Sequence, residues 1–349
     1  MRLPALLVLT VAVVPACVGA EQRTSDDATA VESSVTTTSP VRPLRADSFV
    51  VRDGLVYYLT PLAGNPSAMH HDLVVGRLDT DAEDRVLASR LHATVGLHAN
   101  GLFVLDKDVV LFAGNNVYRV DRVTGAQRQE MVPYGSYWGQ WSDGRSIYGM
   151  SSSTLWRVDD VGVTIEDSSL HDDGSPGVGS VSFGVANGAI YSFDDDWLGL
   201  YRRLPDGTKQ PYDSVGRHAL PHGPRFGVRA DANEVYLVGG ARTTTCTHVT
   251  STRELIRVIV TPETPGGASR RLALVDSNGA WDLHLAPKKL YFQSLCDGTV
   301  FSVDRVNGTA EIVARTGPRQ AGDPKARMIE DGGFLYFMAE GKLLRFAME

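Results

Sequence analysis

At 349 residues the chain can hold two average domains or one large repeat array, and a hydrophobic content of 43% excludes disorder as the state of the whole. With 34 basic against 41 acidic residues and a formal net charge of -7, there is no basic field to hold a phosphate backbone, so nucleic acid is not an expected partner.

In chain order, the first element is an export signal over residues 1–20. Arg2 is followed by the apolar run from Leu3 to Ala16, too short to span a bilayer. Val14-Pro15-Ala16-Cys17 resembles the lipobox of bacterial lipoproteins, although Pro15 departs from the usual small residue; on that reading Cys17 carries the lipid. Val18-Gly19-Ala20 offers ordinary signal cleavage instead, which would release a soluble chain beginning at Glu21, and the sequence leaves both open. Either way the expected location is outside the cytoplasm: a lipid-anchored cell envelope, or the periplasm or exterior.

Residues 18–44 are polar, rich in Ser, Thr and Pro, and without hydrophobic period. They read as a disordered tether with an end-to-end distance of about 25–30 Å. Both cleavage routes leave the same two cysteines, Cys246 and Cys296. An even pair in an oxidising compartment suggests one disulfide, with free or buried thiols as the alternative.

From residue 45 onward the sequence repeats. Asp53-Gly54-Leu55-Val56-Tyr57 recurs as Asp143-Gly144 leading to Tyr148, Asn187-Gly188 leading to Tyr191, and Asp331-Gly332 leading to Tyr336. Looser copies reach Tyr236 and Tyr291, and one has Leu111 in the tyrosine place. Positions 57, 111, 148, 191, 236, 291 and 336 are thus separated by 54, 37, 43, 45, 55 and 45 residues. Such periods mean propeller blades or helical repeats, and Asp-Gly and Asn-Gly before β-formers select hairpins. A second alternating element follows each tyrosine, as in Val117-Tyr118-Arg119-Val120-Asp121 and Val300-Phe301-Ser302-Val303-Asp304, and ends in another turn.

Each unit therefore predicts four antiparallel strands, a to d from the axis outward. The expected fold is all-β, a seven-bladed β-propeller over 45–349. The seventh copy ends after its third strand, and the segment Val41 to Arg45 is expected to supply the missing outer strand and close the ring. The tyrosine strand, the Arg-Val-Asp strand and the Thr-Gly or Asn-Gly turn resemble bacterial secreted propeller repeats of the TolB-like and quinoprotein-like kinds, a resemblance covering roughly residues 48–349 that implies a fold more than an activity.

Strand parity puts the tight a-to-b and c-to-d turns on one face and the long, irregular b-to-c and d-to-a segments on the other, the expected binding face. The candidate residues there are His71, Trp138, His171, Asp196, Trp197, His222 and Trp281. Each has a plainer reading: His70-His71-Asp72 as a metal group is disfavoured by strand alternation, Asp194 to Asp196 reads better as a solvated turn than as a calcium loop, and the tryptophans serve equally to fill space between blades. The recurring tyrosines read as core. The recurring Arg77, Arg119, Arg157, Arg202, Arg257 and Arg345 read as structural, lying across a neighbouring strand with their charge in water.

No motif commits the chain to a reaction, and neither catalytic nor metal or cofactor ligands are assigned. The leading expectation is a monomeric binding or scaffold module for a protein, peptide or glycan, touching membrane only through an N-terminal lipid. The alternatives are a propeller lyase or glycosidase with His and Asp acid-base groups at the channel mouth, and a metal-stabilised redox propeller.

Overall fold

A computed structural model describes residues 39–44, 46, 48–62, 70–80, 83–92, 101–113, 116–132, 138–142, 144–151, 154–167, 182–194, 199–204, 206, 208–212, 228–239, 255–276, 280–294, 298–315, 328–339 and 341–349. Among them are twenty-eight strands in seven sheets of four, and no helix.

Blade 1 is β2 (Ser48–Arg52), β3 (Leu55–Pro61), β4 (His70–Arg77) and β5 (Arg85–His92). Blade 2 is β6 (Leu102–Val104), β7 (Asp108–Ala113), β8 (Asn116–Asp121) and β9 (Gln127–Met131); blade 3 is β10 (Trp138–Ser142), β11 (Ser146–Ser151), β12 (Thr154–Asp159) and β13 (Val163–Asp167). Blade 4 is β14 (Ser182–Ala186), β15 (Ala189–Asp194), β16 (Gly199–Arg203) and β17 (Lys209–Tyr212); blade 5 is β18 (Val228–Ala230), β19 (Glu234–Gly239), β20 (Leu255–Pro262) and β21 (Arg270–Asp276). Blade 6 is β22 (Ala280–Leu285), β23 (Lys289–Ser294), β24 (Thr299–Asp304) and β25 (Ala310–Arg315). Blade 7 is β26 (Ile329–Asp331), β27 (Phe334–Ala339) and β28 (Lys342–Ala347), completed on its outer edge by β1 (Ser39–Pro43). All neighbours within a blade are antiparallel, and first strands abut first strands around the axis: β2 lies against β6 and β26, and β14 against β10 and β18.

The hairpin signals mean what their chemistry requires. Asp53 and Gly54 adopt φ of 54° and 74°, and Asn187 and Gly188 adopt 52° and 72°, the paired left-handed conformation of a two-residue turn that matches strand twist. The ring closes as the unfinished seventh copy requires, with Ser39 opposite Arg345 and Pro43 opposite Lys342, and the chain passes on through Leu44 N, which donates to Gly341 O at 2.9 Å. Strand β1 thus lies inside the segment expected to be tether through residue 44, because the open edge of β28 needs a partner.

The core lies between blades. Of the recurring tyrosines, Tyr57, Tyr191, Tyr236, Tyr291 and Tyr336 are buried, as a recurring packing residue should be, whereas Tyr148 is only partly buried. Trp156 is fully buried in blade 3 opposite Gly149, whose missing side chain leaves room for the indole: a Cβ there would sit 1.9 Å from the ring.

Candidate interaction face

Strand order assigns the connections to two ends of the ring. On one end lie the a-to-b turns, of which 53–54, 187–188 and 332–333 are two residues long, and c-to-d turns no longer than 78–84 and 263–269. On the other lie 62–69, 93–101, 168–181, 213–227, 240–254 and 316–328, the longest connections in the ring.

The turn end is sealed by hydrogen bonds across the blade seams. A tyrosine buried between blades still needs a partner for its hydroxyl, and the residue just after strand c of the next blade supplies it. Arg122, beyond β8, donates Nε to Tyr57 Oη at 3.0 Å, Nη2 to Asp53 at 2.9 Å and Nη1 to the Asp106 carbonyl at 3.1 Å, tying blade 1 to blade 2. Arg305, beyond β24, repeats this on Tyr236 Oη at 2.8 Å, Asp231 and the carbonyls of Ala286 and Pro287 at 3.1 and 3.0 Å, tying blade 5 to blade 6. Their guanidinium carbons stand 5.5 and 4.9 Å from the centres of the Tyr57 and Tyr236 rings, within cation–π range.

Blade 5 puts Glu263 in the same place with the polarity reversed. Tyr191 Oη donates to it at 2.7 Å, Arg202 pairs with it at 2.6 Å, and Tyr212 Oη donates to its carbonyl. In blade 7 the backbone N–H of Glu349 donates to Tyr291 Oη at 3.1 Å. Burial lifts the hydroxyls of Tyr191, Tyr236 and Tyr291 above the ordinary phenol range, and hydrogen bonds to Glu263 and Glu234 lift Tyr191 and Tyr236 further.

The recurring arginines of strand c do not share one environment. Arg77 is 62% exposed by its side chain, but Arg119 is fully buried, with Asp108 at 2.8 Å and Glu130 at 3.6 Å. The expectation of a solvated charge fails at Arg119 because Asp108, present at this position only in blade 2, draws the guanidinium inward and balances it.

At the other end, His70-His71-Asp72 is the opening of strand β4 rather than a loop, and strand alternation sends adjacent side chains to opposite faces. His71 is 1% exposed, opposite Pro61 and Leu91, so its ring is not offered to solvent; Asp72 Oδ1 accepts from the Arg90 N–H at 3.3 Å. Trp138 opens β10 opposite Met150, and Trp281 lies near the start of β22 opposite Gln293, both at the long-connection ends of innermost strands; their side chains fall outside the described residues. His171, Asp196, Trp197, His222, Cys246, Cys296 and Cys17 also lie outside the described residues. Under the long-connection end of blade 6, Gln293, Ser294 and Thr299 form a polar footing 0–1% exposed.

Among the described residues no group of three or more His, Cys, Asp or Glu side chains could hold a metal ion, and no helix is long and apolar enough to cross a membrane. Arg122, Arg305 and Glu263 were not singled out by sequence. The repeated Asp-Arg-Val-Thr/Asn-Gly at 121–125 and 304–308 carried the signal for the two arginines; nothing comparable marks Glu263.

The fold and its two unlike ends define a seven-bladed β-propeller. No family model and no curated protein sequence matches the chain. The Neurospora crassa Pan2 WD40 domain is similar at a TM-score of 0.55 and 12% identity, over 86% of this chain and 88% of that one. A chain of the mitotic checkpoint complex is similar at 0.54 and 12%, over 99% of each, and a streptogramin B lyase at 0.52 and 10%, over 88% and 96%. At such identities these likenesses establish the propeller fold and leave activity to the residues.

Proposed function

We propose that this chain is an exported propeller scaffold, held near a membrane by a lipid on Cys17, that binds a protein, peptide or glycan on its long-connection face. The observation that carries the reading is the inequality of the two ends: one is built of short turns tied together by Arg122, Arg305 and Glu263, and the other holds every connection longer than seven residues. A rigid ring with its sequence freedom gathered at one end is the arrangement by which scaffolds present recognition loops.

The direction of β1 supports the tether. It enters opposite Arg345, toward the turn end, and leaves opposite Lys342, at the long-connection end, so the chain before Ser39 joins on the turn side. A body tethered there turns its long connections away from the anchoring surface. Among similar structures, the mitotic checkpoint complex shows this architecture working inside a protein assembly.

The test is paired surface replacement with crosslinking in the producing cell. Alanine at Trp197 and His222, on the long-connection side, is expected to abolish the crosslinked partner, whereas alanine at Lys288 and serine at Val306, on the turn side, leave it intact. Loss confined to the turn-side set would overturn the reading. Mass spectrometry of the mature N-terminus is expected to find lipidated Cys17; an unmodified Glu21 start removes the anchor and leaves the face assignment standing.

A further inference from the structure

Every blade of a propeller ends in an outer strand whose backbone groups are open to pairing, and folded proteins blunt such edges with prolines and bulges. Here the blunting is consistent except once. Bulges interrupt the pairing of β5, β13, β21, β25 and β1 with their inner neighbours, and prolines stand in β17 (Pro211) and β1 (Pro40 and Pro43). Strand β9, Gln127-Arg128-Gln129-Glu130-Met131, has neither: it pairs with β8 without a break from Val120–Gln127 to Asn116–Met131. It is also exposed along nearly its whole length on both faces. Of six large hydrophobics standing exposed among the described residues, five (Val86, Val123, Met131, Val161 and Ile165) belong to blades 1 to 3, whose middle edge is β9.

We propose that β9 is a self-association edge, where a second copy of this chain pairs with it antiparallel about a two-fold axis through Gln129. The backbone fixes which groups are available. Asp121 N donates to Ala126 O at 2.9 Å where the hairpin opens. By antiparallel alternation, Arg128 and Glu130 then bond inward to β8, while the N–H and C=O groups of Gln127, Gln129 and Met131 point to the free edge.

Two such edges meeting antiparallel hydrogen-bond Gln129 to its own copy and Gln127 to Met131 of the other. Arg128 then falls opposite Glu130 in the non-hydrogen-bonded pairs, where side chains approach most closely, and the two-fold axis makes that pair twice. A slip of two residues either way places Arg128 opposite Arg128 or Glu130 opposite Glu130. Charge thus selects a single register, and the strand is complementary to itself, as an isologous interface requires. The closing strand β1 belongs to blade 7 and does not occupy this edge.

Sedimentation velocity of the mature protein over a concentration series, in mild detergent where lipid is attached, tests the pairing. The wild type is expected to pass from one to twice the monomer mass. Gln129→Pro removes an edge-facing N–H that makes no bond to β8, and should weaken association by at least about tenfold with its melting curve intact. Glu130→Gln, which keeps shape and removes the paired charge, should weaken it about three- to tenfold at a temperature where its melting curve shows it folded, since Glu130 also stands 3.6 Å from Arg119. A wild type that stays monomeric at every concentration, even one that captures a different protein at β9, overturns the proposal. So does a folded Gln129→Pro variant that dimerises as well as the wild type.

Discussion

The joint between the closing strand and blade 1 combines apolar packing, in one cluster with Leu44, Phe49, Tyr58 and Val74, with the polar contacts of one arginine. Arg42 of β1 forks onto both carboxylate oxygens of Asp84 at 2.7 and 2.6 Å and donates Nη1 to the carbonyl of Arg77 at 2.8 Å. Asp84 also accepts from Tyr58 Oη at 2.5 Å, and burial together with that bond pushes the Tyr58 hydroxyl up to about 12. The Arg42 and Asp84 side chains are 15% and 18% exposed, so removing the cation strands a carboxylate with little water. Breaking a fully buried pair costs about 3–5 kcal/mol, and the residual exposure brings Arg42→Ala to about 2–3 kcal/mol. Urea unfolding of Arg42→Ala, Asp84→Ala and the double variant measures this as a cycle. Each single change is expected to cost that much, and the double little more than either. A loss below about 0.5 kcal/mol for Arg42→Ala, the range of an ordinary surface change, or simple additivity in the cycle, would refute the latch.

Three further outcomes follow from the seams and the core. Gly149→Ala drives a Cβ into the Trp156 ring and should cost about 3 kcal/mol in urea unfolding; a neutral result would mean that the indole does not lie over Gly149. Burial raises Tyr58, Tyr191, Tyr236, Tyr291 and Tyr336 above their unfolded value; hydrogen bonds to Asp84, Glu263 and Glu234 add to this at Tyr58, Tyr191 and Tyr236, whereas those from the Glu349 N–H and from Arg345 oppose it at Tyr291 and Tyr336. Their contribution is therefore whole below about pH 10 and lost as pH climbs through the folded values. Tyrosinate absorbance should rise together with loss of circular dichroism, and full ionisation near pH 10 with the fold intact would contradict the seam geometry. At Asp231, burial opposes ionisation, but the N–H groups of Asn233 and Glu234 and the Arg305 guanidinium outweigh it and hold the carboxyl low. A depressed acid stabilises above its unfolded pKa and loses that as pH falls through its folded one, so Asp231→Asn should flatten the acid limb of the stability curve. An unchanged limb would sink the assignment.

The architecture was legible because its signals are local. Asp-Gly and Asn-Gly name their turn within two residues, the tyrosines repeat in every blade but the second, and the missing strand of the seventh copy announces a closing strand at Val41 to Arg45, which the structure places two residues earlier at Ser39–Pro43. What sequence could not supply is which residue meets which across a seam. Arg122 and Arg305 look like turn arginines until the neighbouring blade puts Tyr57 and Tyr236 beside them. Arg119 looks like its exposed counterpart Arg77 until the Asp108 carboxylate is found 2.8 Å from its guanidinium. Strand parity assigns His71 to a loop, but the strand begins one residue before it, and alternation then buries it. Recognition residues are harder still, because long connections obey no period: Trp197 and His222 enter as candidates through topology alone.

The pairing of residues 39–43 with β28 closes the ring, completes blade 7 and sets the side from which the preceding chain joins. Met348 N donates to Gly333 O at 2.9 Å, and alternation from that bond turns the amides of Leu343 and Arg345 outward toward β1. Hydrogen exchange of those two amides, in the intact protein and in a variant starting at Leu44, measures the pairing directly. Slow exchange in the first and fast exchange in the second, with a lower unfolding midpoint, is the predicted result; equal protection in both would contradict closure of the ring by its two ends.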